Sequence, residues 1–123
     1  MEYPISEILD RYSIAILKKQ RLNVDNEIEI QDLSEVIDQY KKINSEVIEN
    51  YVTKLVEING YIWDLESDIR KGKEGELGLE EVGRRAIKIR ELNKIRVGYK
   101  NIIVDIFNEG YKDIKMNHAS ADK

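Results

Sequence analysis

At 123 residues, with 36% charged side chains and a formal charge of -4, the chain has room for one domain with one modest core. It lacks the basic balance of a general nucleic-acid binder, and with no cysteine it has no disulfides, thiolate chemistry or cysteine-based zinc site. No apolar run approaches the roughly 18 residues of a membrane span, and MEYPISEILD has no hydrophobic core of a secretory signal, so a cytoplasmic protein is expected, in the host cytoplasm if the chain is viral.

One proline and an abundance of Glu, Lys, Ile and Leu predict an all-α fold. The first helix is expected from residue 5 or 6 to residue 22, opened by Pro4, whose missing N–H is no loss at a helix start. Ile5, Ile8, Leu9, Tyr12, Ala15 and Ile16 recur at helical spacing on one face. NVDNE supplies a turn. A second helix is expected over 29–43, with Leu33, Val36, Ile37, Tyr40 and Ile43 as its stripe and Asp32 and Glu35 at capping-box spacing. INSE interrupts the pattern, and Ser45 is placed to cap a third helix over 46–71.

In that third helix Ile48, Leu55, Ile62 and Ile69 repeat every seven residues, with Tyr51, Ile58 and Leu65 three positions on. This is a heptad seam, and it predicts packing along a partner helix. KGKEGELG reads as a loop, and a fourth helix follows from 79 or 80 to 109, ended by Gly110. Gly83 and Gly98 lie inside it, each costing about 1 kcal/mol relative to Ala, which points to close helix contacts. The expectation is therefore a four-helix arrangement, helices 3 and 4 forming a long antiparallel pair. It comprises a single domain over 1–110 and a tail over 111–123 that carries the lone His118. The seam is long for such a chain, so a homodimer or larger assembly is expected to cover it.

The fourth helix carries polar residues where its apolar stripe belongs. At about 100° per residue, Val82, Ile89, Leu92, Tyr99, Ile103 and Phe107 share one arc. Arg85 and Arg96 project near its middle, with Asn93 and Lys100 toward one side. In the third helix Asn59, Trp63, Glu66 and Arg70 form a matching stripe beside the seam. Packed antiparallel, the two rows would converge, Asn59 and Glu66 facing Arg96 and Arg85. The first helix is placed to add Asp10, Arg11 or Lys18.

ILDRYSIAILKKQRL, LVEINGYIWDLESDIR and IRELNKIRVGYKNIIVDIF resemble small uncharacterised helical proteins of large tailed phages and bacterial polysaccharide gene clusters. The shared pattern falls on Asp10 and Arg11, on Asn59, Trp63, Glu66, Ile69 and Arg70, and on Asn93, Arg96 and Lys100. It spans about two thirds of the chain, and the ending KMNHAS is closer to the phage form. The resemblance implies no established activity.

Two readings of the polar rows stand. A helical bundle satisfies an interior arginine with a glutamate, and breaking such a pair costs about 3–5 kcal/mol, so pairs persist without any ligand. Yet the two stripes hold four cations (Arg70, Arg85, Arg96, Lys100) against one acid, Glu66. A buried surplus of guanidinium is expensive unless an anion fills it. Arginine forks suit phosphate, and Trp63 offers a face to a base. The expected function is non-enzymatic binding of a small anionic ligand, a nucleotide or cyclic nucleotide, by Arg11, Asn59, Trp63, Glu66, Arg70, Arg85, Asn93, Arg96 and Lys100; in a phage this would sequester a host signalling nucleotide. The alternatives are a helical assembly protein without a small-molecule ligand and, on the spacing of Asp64 and Asp68, a Mg²⁺-dependent nucleotide hydrolase. No catalytic constellation, metal site or cofactor is expected.

Overall fold

The computed structural model describes residues 3–71 and 78–108, which are helical with no strand among them. Three helices follow in order: α1 (Ile5–Leu22), α2 (Glu27–Lys71) and α3 (Leu79–Phe107). The expected arrangement of four is corrected to three, because α2 runs through the point where a break was expected. The Gly-rich segment, Gly110, His118 and the tail lie outside the described residues.

The Pro4 carbonyl accepts the Glu7 and Ile8 N–H groups, both at 3.0 Å, and starts α1. Asn23 ends it at φ 53°, donating its N–H to the Lys19 carbonyl. Asn26 then opens α2: its carbonyl accepts the Ile30 N–H at 3.1 Å, and its side-chain amide donates to the Ala15 carbonyl at 3.0 Å, tying the turn back onto α1. α2 thus starts two residues before the expected 29. Asp32 and Glu35 lie in its interior and cap nothing.

Asn44 sits inside α2 with non-helical angles, φ -156° and ψ 85°. Its side-chain oxygen accepts the Val47 N–H at 3.1 Å, the bond of a helix N-cap. Ser45, the expected cap, instead donates to Glu49 at 3.0 Å. The interruption in the sequence pattern is therefore a kink at Asn44 within one helix. The limbs on either side bend toward each other, so that Ser34, Ile37 and Asp38 share a cleft with Glu49, Val52 and Thr53, under Tyr12.

The second limb of α2 and α3 run antiparallel. Tyr51 meets Tyr99 edge to face at 6.0 Å and Asp68 meets Arg85, while Tyr40, at the end of the first limb, meets Phe107 at 5.5 Å. α1 runs parallel to the same limb, since Asp10 contacts Asn59 and Arg21 contacts Asp64. α3 ends at Phe107, and its left-handed cap is Asn108, not the expected Gly110. Asparagine tolerates this conformation because its short polar side chain bonds locally.

The core takes Ile5, Ile8 and Leu9 from α1, Leu33, Ile37, Ile48 and Leu55 from α2, and Leu92 and Ile103 from α3. Burying each such side chain is worth about 1.5–3 kcal/mol. Ile48, Leu55, Ile58 and Ile62 of the heptad seam are at most 7% exposed within one chain. That part of the seam is covered by the chain's own helices, while Tyr51, Leu65 and Ile69 of the same seam are half-buried. The tight helix contact is also elsewhere than expected: a Cβ on Gly83 or Gly98 would meet nothing within 4 Å, whereas one on Gly60 would meet Arg21 Nη2 at 3.2 Å and Leu17 Cδ2 at 3.6 Å. No helix among the described residues is long and apolar enough to cross a membrane.

Candidate functional site

One acid organises the polar interior, and it comes from α1. Asp10 is 3% exposed, facing inward one residue beyond the core side chains Ile8 and Leu9. Taking a carboxylate out of water costs several kcal/mol unless its lone pairs are filled. Here they are. Arg96 of α3 grips it bidentately, Nε to Oδ1 at 3.0 Å and Nη2 to Oδ2 at 2.5 Å. Asn59 of α2 donates Nδ2 to Oδ1 at 3.0 Å and shares that amide with Ser13 Oγ at 2.8 Å. Ser13 in turn donates to the Asp10 carbonyl at 2.6 Å. Lys100 stands 3.9 Å from Oδ2 and pairs with Glu7 at 2.7 Å. Asn93 accepts a bond from Arg96 Nη1 at 3.3 Å.

Three helices therefore meet at one charge-assisted network. Burial pushes the Asp10 carboxyl up, but the hydrogen bond and charge of Arg96, helped by Asn59 and Lys100, hold it below its ordinary value. The hydrogen bonds that Arg96 donates to Asp10 correspondingly raise the Arg96 pKa, against the opposing effect of its own burial. At neutral pH both groups are charged.

The expected convergence is corrected in its partners. Asn59, Asn93, Arg96 and Lys100 do come together, but around Asp10 rather than Glu66. Glu66 is exposed and reaches Arg96 only as a charge at longer range. Arg85 does not face Glu66 either; it pairs with Asp68 at 2.6 Å and Glu81 at 3.1 Å. Arg70 is exposed, and Trp63 is half-buried without lining any described cleft. The surplus of buried positive charge read from the two stripes is absent, because Arg85, Arg96 and Lys100 each have a carboxylate. Asp64 and Asp68 are each engaged by an arginine, Arg21 and Arg85, so they do not form a free acidic pair.

A cleft of about 300 Å³ opens beside this network. It is lined by Glu7, Asp10, Arg11, Ile14, Ala15 and Lys18 of α1, Glu29 of α2 and Arg96 of α3. Arg11 lays its guanidinium over the Tyr3 ring, 4.0 Å from the centroid. Stacking uses the face of the guanidinium and leaves its in-plane N–H fork available. Among the described residues neither Arg11 nor Lys18 is ion-paired to a carboxylate. Glu29 and Ser13 were missed as site residues. Ser13 was legible as a polar residue three positions after Asp10 on the inner face; Glu29 carried no signal, since its placement depends on how α2 crosses α1. No family model, curated protein or solved structure matches the chain.

Proposed function

We propose that the protein binds a small anionic ligand, a nucleotide or sugar phosphate, without transforming it, in the cleft between α1, the first limb of α2 and α3. The observation that carries this reading is a pair of cations, Arg11 and Lys18, with no carboxylate partner among the described residues, at a cleft whose inner wall is a fixed Asp10–Arg96 pair. Seven residues apart on α1, they lie on one side of the helix about two turns from each other. Glu29 and Glu7 line the same cleft. A bare anion offers only acceptor oxygens, which these carboxylates disfavour. A ligand that sets its phosphate against Arg11 and Lys18 and donates sugar hydroxyls to Glu29 satisfies both signs. The volume is at the small end of ligand pockets, which suits a monomeric ligand.

Thermal shift against AMP, cyclic nucleotides, ribose 5-phosphate and inorganic phosphate tests this. A ligand at 100 times its Kd stabilises by about 2.7 kcal/mol, several degrees for a chain of this size. Arg11→Met with Lys18→Met should remove the shift and leave the ligand-free melting temperature unchanged. A flat response across the panel would overturn the reading.

A second reading has its own observation. Asp10, Asn59 and Arg96 satisfy one another across three helices with no ligand, which is how buried polar residues fix helix register in an assembly protein. On that reading the double variant has no phenotype in any binding assay.

A further inference from the structure

A second hollow, of about 390 Å³, adjoins the cleft and is lined by Tyr3, Arg11, Ile28, Glu29, Asp32 and Leu33. Arg11 and Glu29 line both spaces, so these two side chains are their common wall. The two spaces differ in character. Arg11, Lys18 and Arg96 line the first, whereas the second has Arg11 as the one cation among its lining residues and Tyr3, Ile28 and Leu33 as its apolar side chains. Leu33 is buried, while Tyr3 and Ile28 are 49% and 79% exposed. One exposed apolar side chain on a surface calls for no explanation. Two of them beside a buried leucine, in one concavity with a few polar groups, have the composition of a small-molecule pocket.

We propose that this hollow takes the base of a nucleotide whose phosphate lies against Arg11 and Lys18, so that the ligand is a nucleoside monophosphate and not a sugar phosphate. This rests on the anion reading of the cleft and adds the chemistry of the rest of the ligand. The shared wall selects the occupant. In a nucleotide the sugar stands between phosphate and base. With the phosphate on Arg11 and Lys18 and the sugar hydroxyls on Glu29, the base falls on the far side of Glu29, where the apolar hollow opens. A sugar phosphate ends at Glu29 and leaves Tyr3 and Ile28 in water. Arg11 serves both halves. The face of its guanidinium lies over the Tyr3 ring, 4.0 Å from the centroid, and its in-plane N–H groups remain for the phosphate. Glu29 and Asp32 make the hollow unfavourable for a further phosphate. They supply acceptors instead, which the amino groups of adenine, guanine and cytosine match.

Calorimetric titration of the full chain with inorganic phosphate, ribose 5-phosphate and AMP separates the two halves of the site. AMP should bind roughly tenfold more tightly than ribose 5-phosphate, the contribution of one packed base. Ile28→Ser should narrow that gap several-fold by weakening AMP, and should leave the melting temperature unchanged because the side chain is 79% exposed. In the AMP complex, nuclear Overhauser contacts should join the adenine protons to the Tyr3 ring and the Ile28 methyl groups. If ribose 5-phosphate binds as tightly as AMP, or if the gap is indifferent to Ile28→Ser, the hollow does not hold the base; this inference is then overturned while the anion cleft stands. If none of the three binds, both are overturned.

Discussion

Asp10 is the residue on which most of the interior depends. Its carboxylate is 3% exposed and is neutralised chiefly by Arg96. Arg96→Met keeps much of the stem but leaves that carboxylate with Asn59 and a lysine 3.9 Å away. Chemical denaturation at neutral pH should show a loss of about 3 kcal/mol, the lower end for a broken buried pair. Asp10→Asn in the same background should recover part of it, whereas Glu66→Gln should not. A recovery by the Glu66 change instead would contradict the network described here. The same residue sets an acid limit. Its folded pKa lies below the ordinary 3.8, so the unfolded chain binds the proton more readily. The stabilisation is complete above that ordinary value and is lost as pH falls through the folded one. Stability measured as a function of pH should decline below about 4, and Asp10→Asn should flatten that part of the profile.

At the scale of the element, Asn44 and the α3 glycines are the informative positions. Asn44 caps the second limb of α2 through Val47, and Asn44→Ala should cost about 1 kcal/mol in urea denaturation. A neutral result would mean that the kink is imposed by packing alone. Gly83 has helical surroundings and open space where a Cβ would go, so Gly83→Ala should stabilise by roughly 0.5–1 kcal/mol through helix propensity. Destabilisation would reveal a neighbour at that site in solution. Gly60 differs, because its Cβ would press on the end of the Arg21 side chain and touch Leu17 at ordinary contact distance.

At the scale of the molecule, α1 is the joint between the parts. It supplies Asp10 to the polar network, Ile5, Ile8 and Leu9 to the core, and Arg11 and Lys18 to the cleft. Trp63 belongs to the body of the fold and not to the cleft, so Trp63→Phe should lower stability by about 1–2 kcal/mol and leave ligand affinity within twofold of the parent. A large affinity loss with stability intact would move the binding site to the face of α2 that carries Trp63.

The sequence by itself determined the helical class, the ends of α1, most of the core stripes (Ile43 is exposed) and the inward placement of Asn59, Asn93, Arg96 and Lys100, but not that of Glu66 and Arg70, which lie in solvent. Each follows from local chemistry: Pro4 and Asn23 act within a turn of themselves, and Ile48, Leu55 and Ile62 declare a buried face by spacing alone. Asn59 and Arg96 were visible because a polar residue inside an apolar arc breaks a periodic pattern. What only the tertiary structure decided was which charges meet. Glu66 and Asp10 are both acids within reach of Arg96 on a helical wheel, but the wheel carries no information on how far α1 sinks between the other two helices. It sinks deep enough to bury Asp10, and desolvation then makes that carboxylate the stronger partner, leaving Glu66 in water. The merging of two expected helices has the same origin. INSE weakens the helical pattern and Asn44 caps locally through Val47, but whether the chain stops or merely kinks there depends on the packing of both limbs against α1, which is not a property of local sequence.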